Sequence, residues 1–426
     1  MKYKIPKKDN LYTISEASKI INVPPGTIRA WEKKGLVKAN KLKPNFRLFN
    51  INELERVLNK TNGKHGENHY KILKAKKKSN YSVIELFAGA GGTALGFDHA
   101  GLEHILLSDI NKDSVSTLKK NKPKWNILEE DITKMDFKGL SADIVSGGFP
   151  CQAFSYAGKK LGFEDARGTL FFDFARCIKE VKPKVIMGEN VRGLLKHDHG
   201  KTLQSITSVL IDLGYNIAFK VLKAQYFDVP QKRERLIILG VRKDLNLPIF
   251  FPKEKDYLIS LKEALEKCPK SEGQQYSKRK KEIMKLIPEG GYWRNLPKDL
   301  QKQYMSASYY TSGGKTGMAR RLSWNEPSLT LTCAPAQKQT ERCHPKETRP
   351  LTIREYARIQ TFPDSWEFIG SISSQYRQIG NAVPVNLGFH IGQCIIAMLN
   401  KKIDPKSMYK TKVLKELKDF KQMSLF

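Results

Sequence analysis

At 426 residues the chain is too long for a single hydrophobic core and points to two or three domains. Lys and Arg number 75 against 43 Asp and Glu, a formal net charge of +32 and a pI near 9.7 over 40% hydrophobic content. This excludes peptide-like, fibrous and repetitive chains and indicates a folded protein with a polyanionic partner, nucleic acid ahead of an acidic membrane surface; the lysine-heavy usage of an AT-rich genome is the competing source of the charge. No run of residues approaches the roughly 18 to 20 apolar positions of a membrane span. The start, MKYKIPKKDN, lacks the apolar core of a signal peptide, so a soluble, cytoplasmic protein with no membrane partner is expected. Six cysteines (Cys151, Cys177, Cys268, Cys333, Cys343, Cys394) are spread without a CxxC pair, which supports neither a disulfide framework nor a zinc site.

The first elements form a small module. Thr13 and Glu16 make a capping box, and Ile14, Ala17 and Ile21 share a helical face. A turn at Asn22-Val23-Pro24 leads to Pro25 at a first helical position, then to a second helix with Ile28 and Trp31 inward, ended by Gly35. LVKANKLKPNFRLF reads as a two-stranded wing, and Asn50 with Glu53 starts a third helix carrying Leu54, Val57 and Leu58. This order resembles the winged helix-turn-helix of MerR-type and excisionase-type DNA-binding proteins, and implies a DNA-contacting module over residues 1–59 with Arg29 on its second helix as a contact candidate. A small helical protein-interaction domain is the other reading. Residues 60–80, where Lys71, Lys74, Lys76, Lys77 and Lys78 face only Glu67, read as a flexible basic linker.

From Tyr81 the pattern becomes short β-branched runs (SVIELF, HILLSD, ADIVSGG, KVIMGE, IAFKVL, RLIILGV) alternating with helical stretches. Such repetition predicts an α/β, doubly wound, Rossmann-like sheet over 81–244. Residues 245–348 lose the rhythm and read as a separate, irregular insertion. Regular structure returns over 349–400, which completes the catalytic domain, and a basic tail follows over 401–426.

The first strand enters a glycine loop, ELFAGAGGTALGF, whose glycines permit a tight turn and close approach to a ligand. Its spacing is not that of dinucleotide sites, and a plain tight turn is equally compatible with it. Asp109 ends the second strand, where a carboxylate can accept from ribose hydroxyls, and Asp131 ends the third. A glycine loop with two strand-end acids suits a nucleoside cofactor without phosphates, such as S-adenosylmethionine. Cys151 follows Pro150 on the loop after the fourth strand, at the same sheet edge, placed either as a nucleophile or as a buried structural cysteine. Glu189 and Asn190 end the next strand; a carboxyl there can act on a ring nitrogen if burial raises its pKa. In QKRER, Gln231, Arg233 and Arg235 alternate on one side of a strand, either facing a cleft or forming an exposed charged face.

The ordered set ELFAGAGG, GGFPCQ, GENV, QKRER, RPLTIREYARIQTFP and QIGNAVP closely resembles the DNA (cytosine-5) methyltransferase family over residues 81 to 400. The insertion over 245–348 falls where that family keeps its target-recognition domain. The resemblance implies that Cys151 adds to cytosine C6, that Glu189 acts at N3, that Arg235 binds O2 and that Arg233 supports phosphate and loop geometry. Around S-adenosylmethionine it implies Phe87, Gly89, Gly91, Asp109, Ile110, Asp131, Ile132, Pro150, Leu170, Asn381 and Val383. It further implies base flipping from double-stranded DNA, action as a monomer, and pairing with a restriction endonuclease. Candidate base readers in the insert are Arg320, Arg321, Thr330, Thr332, Gln337, Gln339 and Arg342, each also compatible with phosphate contact or a role in the fold. Cys333, Cys343 and His344 lack the spacing of a metal site. Methylation of tRNA, and repression through a second DNA site such as the protein's own operator, are the alternative functions.

Overall fold

The computed structural model describes residues 10–33, 35–43, 46–61, 68–150, 169–311 and 315–414. The N-terminal module consists of β1 (Leu11–Thr13), α1 (Ile14–Ile20), α2 (Pro25–Lys33), β2 (Asn40–Lys43), β3 (Phe46–Asn50) and α3 (Ile51–Thr61). The capping box forms, with Thr13 accepting from the Glu16 amide and Glu16 returning to Thr13. Asn50 Oδ1 accepts from the amides of Asn52 and Glu53 and starts α3. The wing gains a strand that the sequence did not announce: β1 pairs antiparallel with β3, giving the order β1-β3-β2. Ala17, Ile28, Trp31, Phe49 and Leu54 close a core of its own.

The central sheet is built from β4 (Ser82–Leu86), β5 (Glu103–Asp109), β6 (Ile127–Glu129), β7 (Ile144–Gly147), β8 (Val185–Val191), β9 (Tyr215–Lys223) and, after the two-residue β10 (Gln231–Lys232), β11 (Glu234–Arg242). Its order is β6-β5-β4-β7-β8-β11-β9, parallel except for β11, which runs antiparallel between β8 and β9. Strand residues alternate between two buried faces. Ile84, Val145, Ile186 and Ile238 face α6 (Leu170–Val181) and α7 (Lys201–Asp212). Val83, Ile144, Val185 and Ile237 face the other layer, which contains α4 (Gly92–Ala100) and residues 387–398. The chain leaves β4 for β5 on one side and β7 on the other, and α5 (Lys112–Asn121) covers the β5 side, so a crevice opens at the carboxyl edge of β4.

After β12 (Phe250–Pro252) come α8 (Leu261–Leu265), α9 (Lys278–Lys285), α10 (Lys298–Met305), β13 (Ser328–Leu329), α11 (Ile353–Ile359), α12 (Ile372–Asn381), α13 (Val385–Leu399) and β14 (Met408–Lys410). By composition, residues 372–399 could cross a bilayer, but the chain breaks between α12 and α13 and most of the stretch is buried in the core.

Three expected boundaries shift. Residues 68–80 are not a flexible linker: Leu73 N donates to Asn386 Oδ1 at 2.9 Å, Ala75 N to His99 O and Ser79 N to Gly101 O at 2.7 Å each, and Tyr70 Oη to Arg358 O. Backbone pairing fixes the strap while its lysine side chains reach solvent. The insertion does not begin at 245, because Leu247, Ile249, Phe250 and Phe251 belong to the catalytic core. A separate small core, Tyr276, Met284, Trp293, Tyr304, Met318 and Cys343, defines the insert and includes two helices, α9 and α10, whose dense charge hid them. Nor is 401–414 a free tail, since β14 pairs with β12 and Leu414 bridges Ile217. Residues 415–426 lie outside the described residues.

Helix α13 lies directly on α4. A Cβ at Gly96 would stand 2.5 Å from Val385 O and 2.7 Å from Gly388 Cα, all rigid backbone. Gly96→Ala should therefore push the helices apart and cost about 1–3 kcal/mol, seen as a lower denaturant midpoint. Gly26→Ala, whose added methyl meets open space in α2, should leave the midpoint unchanged or raise stability by up to about 1 kcal/mol.

Candidate active site

Leaving β4, the chain turns through left-handed backbone at Phe87 (φ 57°), Gly89 (φ 53°) and Gly91 (φ 88°) before α4 begins. Gly91 has no room for a side chain, since a Cβ would lie 2.6 Å from Leu118. The Asp109 carboxylate is fastened to this loop: Oδ2 accepts from Gly89 N and Oδ1 from Asn111 N, both at 2.8 Å. Burial raises its pKa, and the two amides oppose that rise. Ile110 beside it is 70% exposed, an apolar surface offered to the cavity. Asp131 caps a short 3-10 turn through Thr133 N at 3.0 Å, which holds its carboxyl below the usual range, and Ile132 is buried behind it.

Phe87, Gly89, Asp109, Ile110, Asp131 and Ile132 line a cavity of about 560 Å³ together with Pro150, Leu170, Asn381 and Val383, whereas Gly91 does not reach it. Asn381 and Val383 come from the return segment, and a Cβ at Gly92 would stand 2.1 Å from Val383 O, so the far end of the chain seals the glycine loop. The lining suits a nucleoside: acids to accept from hydroxyls, an apolar flank for a base and, among the described residues, no cluster of lysines for a pyrophosphate. S-adenosylmethionine fits this set, with Asp109, Ile110, Asp131 and Val383 as the groups to hold it.

On the other side of the same cavity stand Glu189 and Arg235. Ile237 is the register partner of Glu189, and Arg235 that of Val191, so the two side chains meet diagonally across β8 and β11. Arg235 Nε donates to Glu189 Oε1 at 2.6 Å. Burial raises the Glu189 carboxyl despite the pull of Arg235 and Arg233, and burial lowers Arg235 despite Glu189. A Cβ at Gly148 would lie 3.0 Å from Glu189 Oε2, so the glycine leaves room for the carboxylate. Asn190 Nδ2 donates to Phe149 O at 3.0 Å and holds the start of the loop that follows β7 beside Glu189. Cys151, the next residue after Pro150, lies outside the described residues.

The expected row of three side chains facing a cleft is not present. Gln231 is buried, with Nε2 donating to Gln360 Oε1 and Oε1 accepting from Leu331 N. Arg233 is 1% exposed and spans Leu331 O at 3.4 Å and Asn381 O at 3.2 Å. Burial beside Arg235 draws its pKa down to about 9. It braces two loops and presents nothing to a phosphate; only Arg235 of the three reaches the cavity.

The base-reader candidates separate in the same way. Arg321 is buried and donates to the carbonyls of Met284, Ile287, His344 and Glu347 and to Thr348 Oγ1. Arg342 is buried on Thr330 O and Glu341 O. Neither can read a base edge. Thr330 donates to Lys232 O and Thr332 to Ala334 O, and Arg320 lies half-buried over the Tyr292 ring at 6.0 Å. Gln337, Gln339 and Arg29 are exposed. The described residues hold no cluster of three metal-ligating side chains, and Cys343 and His344 are engaged within the insert. Sequence reasoning missed Glu85, on the cavity floor and paired with His104 at 3.1 Å, and Arg377, on its rim. Glu85 was visible as the lone acid inside an apolar strand; nothing distinguished Arg377 from other helix-surface arginines.

The profile of the C-5 cytosine-specific DNA methylase family matches residues 81–397, and that of the MerR HTH family regulatory proteins matches residues 12–59. The type II methyltransferase M.Eco47II of Escherichia coli is 53% identical over 410 residues, 92% of this chain and 96% of its own. M.Sau96I of Staphylococcus aureus is 51% identical over 339 residues, 78% of this chain and 79% of its own. Among solved structures, a DNA modification methyltransferase encoded within an Escherichia coli prophage covers 75% of this chain and 100% of its own, at 26% identity and a TM-score of 0.56.

The division within the insert is testable by stability. Arg321→Ala strands several buried carbonyls and should cost at least about 3 kcal/mol in denaturant unfolding, whereas Gln339→Ala, at the surface, should stay within about 0.5 kcal/mol of the parent.

Proposed function

The chain belongs to the C-5 cytosine-specific DNA methylases and is a DNA (cytosine-5) methyltransferase of the type II restriction-modification kind; from that premise we propose that it acts through a covalent Cys151 adduct on one cytosine flipped out of a fixed duplex sequence. The observation that carries this reading is the Glu189–Arg235 pair, which stands at one end of a nucleoside-sized cavity whose wall includes Pro150, the residue before Cys151. The Cys151 thiolate forms a bond to C6 and sends the ring electrons toward C5 and N3. Glu189, its pKa raised by burial, carries a proton to N3, and the Arg235 guanidinium donates to O2. Asp109 and Asp131 would hold S-adenosylmethionine, whose S–CH3 bond would break as C5 takes the methyl group, leaving S-adenosylhomocysteine. The C5 proton then passes to a solvent base, the S–C6 bond breaks to release the thiolate, and Glu189 recovers its proton.

Extruding the base costs a few kcal/mol, offset by contacts of the strongly basic chain with phosphates. Exposed Gln337 and Gln339, in place of Arg321 and Arg342, are the supported base-reading candidates. The relatives are named type II methyltransferases, which supports protection of host DNA from a partner endonuclease; action as a monomer in the cytoplasm belongs to the same proposal. The MerR-type match, with Arg29 exposed on α2, supports DNA contact by the module, and autogenous control is its simplest regulatory form.

Duplex DNA incubated with methyl-labelled S-adenosylmethionine should yield 5-methylcytosine, and Cys151→Ala should abolish both product and any adduct trapped on 5-fluorocytosine DNA; an active Cys151→Ala enzyme would falsify the mechanism. Glu189 holds its proton to a higher pH than a free glutamate, about 4.3. The parent kcat/KM should therefore fall as pH rises through that raised pKa, while Glu189→Gln should lose at least about 100-fold in kcat and show no such limb.

A further inference from the structure

A second cleft, of about 720 Å³, separates the N-terminal module from the catalytic sheet. Val191 and Arg235 line both this cleft and the catalytic cavity, so the two meet at the guanidinium assigned to cytosine O2. The module is fixed at this place through α3. Arg56 Nη2 contacts Glu254 Oε2 at 3.2 Å, and its guanidinium lies 4.3 Å above the Tyr226 ring. Arg56 Nε, buried in the same wall, has no hydrogen-bond partner.

The cleft is polar. Lys38 at the base of the wing and Lys223 at the end of β9 both line it and are exposed; neither forms an ion pair within 4 Å with another described residue, although Glu53 in the same lining attracts Lys223. Asn40 and Asn52 add amide donors on the module side. Six basic side chains (Lys38, Arg56, Arg192, Lys223, Lys232, Arg235) against three acids, with neutral amides beside them, leave a net positive lining that suits a phosphodiester, which needs charge and donors in any sequence. Strand continuity says which one. A base rotated into the cavity leaves its own backbone at the mouth, and the flanking phosphates must run along whatever borders Arg235.

We propose that this cleft holds the backbone of the same duplex whose cytosine enters the active site, so that the winged module grips the methylation substrate in cis. The proposal rests on the reading given under Proposed function. It makes Lys38 and Lys223 substrate-affinity residues remote from the chemistry.

The test uses the full-length enzyme and its Lys38→Glu/Lys223→Glu variant, both substitutions being at exposed positions. Methylation kinetics are measured against salt on duplexes trimmed stepwise from each flank of the target. The variant should raise KM for duplex about tenfold or more and make its logarithmic salt dependence shallower by about two, one per lost phosphate contact. The kcat at saturating duplex and the KM for S-adenosylmethionine should not change. Trimming one flank should bring the parent's KM up to that of the variant and leave the variant unaffected. A variant with parental KM at every duplex length overturns the proposal. So does a variant that loses binding only to a second duplex lacking the target, because the module would then serve a separate site. A parent enzyme that methylates no duplex would instead overturn the functional reading itself.

Discussion

The site depends on one steric constraint: helix α13 can approach α4 only because both present glycine where they cross. Gly96 faces Gly388, and Gly392 faces Ala100 and Phe97. The same approach brings Val383 O against Gly92, so the segment that closes the cofactor cavity is placed by backbone touching backbone. Asn381, two residues earlier, receives Arg233, whose other donor reaches Leu331 in the stretch between β13 and α11. A single guanidinium thus relates the central sheet, the return segment and that stretch. A methyl group at Gly96 would disturb all three together, which is why a close-packed interior transmits local strain into a remote site.

Electrostatics at the cavity follow from burial more than from pairing. Glu189 and Arg235 sit in hydrogen-bonding contact, yet each has its pKa moved toward the neutral form, because desolvation outweighs the attraction between them. That balance suits a carboxyl required to hand over a proton and take it back. The pair is also tied to its surroundings: Gly148 leaves the carboxylate its space, and Asn190 holds Phe149. The loop that leads to Cys151, the proposed nucleophile, therefore departs from a fixed point beside the acid.

The sheet was legible because its strands are buried on both faces, and continuous apolar runs bounded by glycine and acid have few other readings. Thr13 with Glu16, and Asn50 before α3, were legible because a cap is a local event between residues three apart. The insert resisted the same approach. An arginine that reads a guanine and one that gathers four carbonyls, as Arg321 does, look the same in sequence, since the difference lies in segments distant along the chain. KRKKEIMK in α9 concealed a helix, because only Met284 of it is buried and all its other side chains but Ile283 are charged. The strap failed for a related reason. Composition describes side chains, and residues 68–80 are held by their backbone.

That strap bears on how the module can work. Asn386 of α13 binds Lys71 O, Leu73 N and Asp228 O, so the segment leading from the module is anchored to the helix that directly follows the cavity-lining Asn381 and Val383. Seven peptide units separate Thr61 from Asn68, and covalent geometry caps their separation at about 25 Å. At 3.4 Å per base pair this is roughly seven base pairs of duplex. A module on so short a tether stays beside the catalytic domain, so any duplex it grips lies next to the one being methylated. A distant operator can reach it only through bending of the intervening DNA or movement of the whole enzyme.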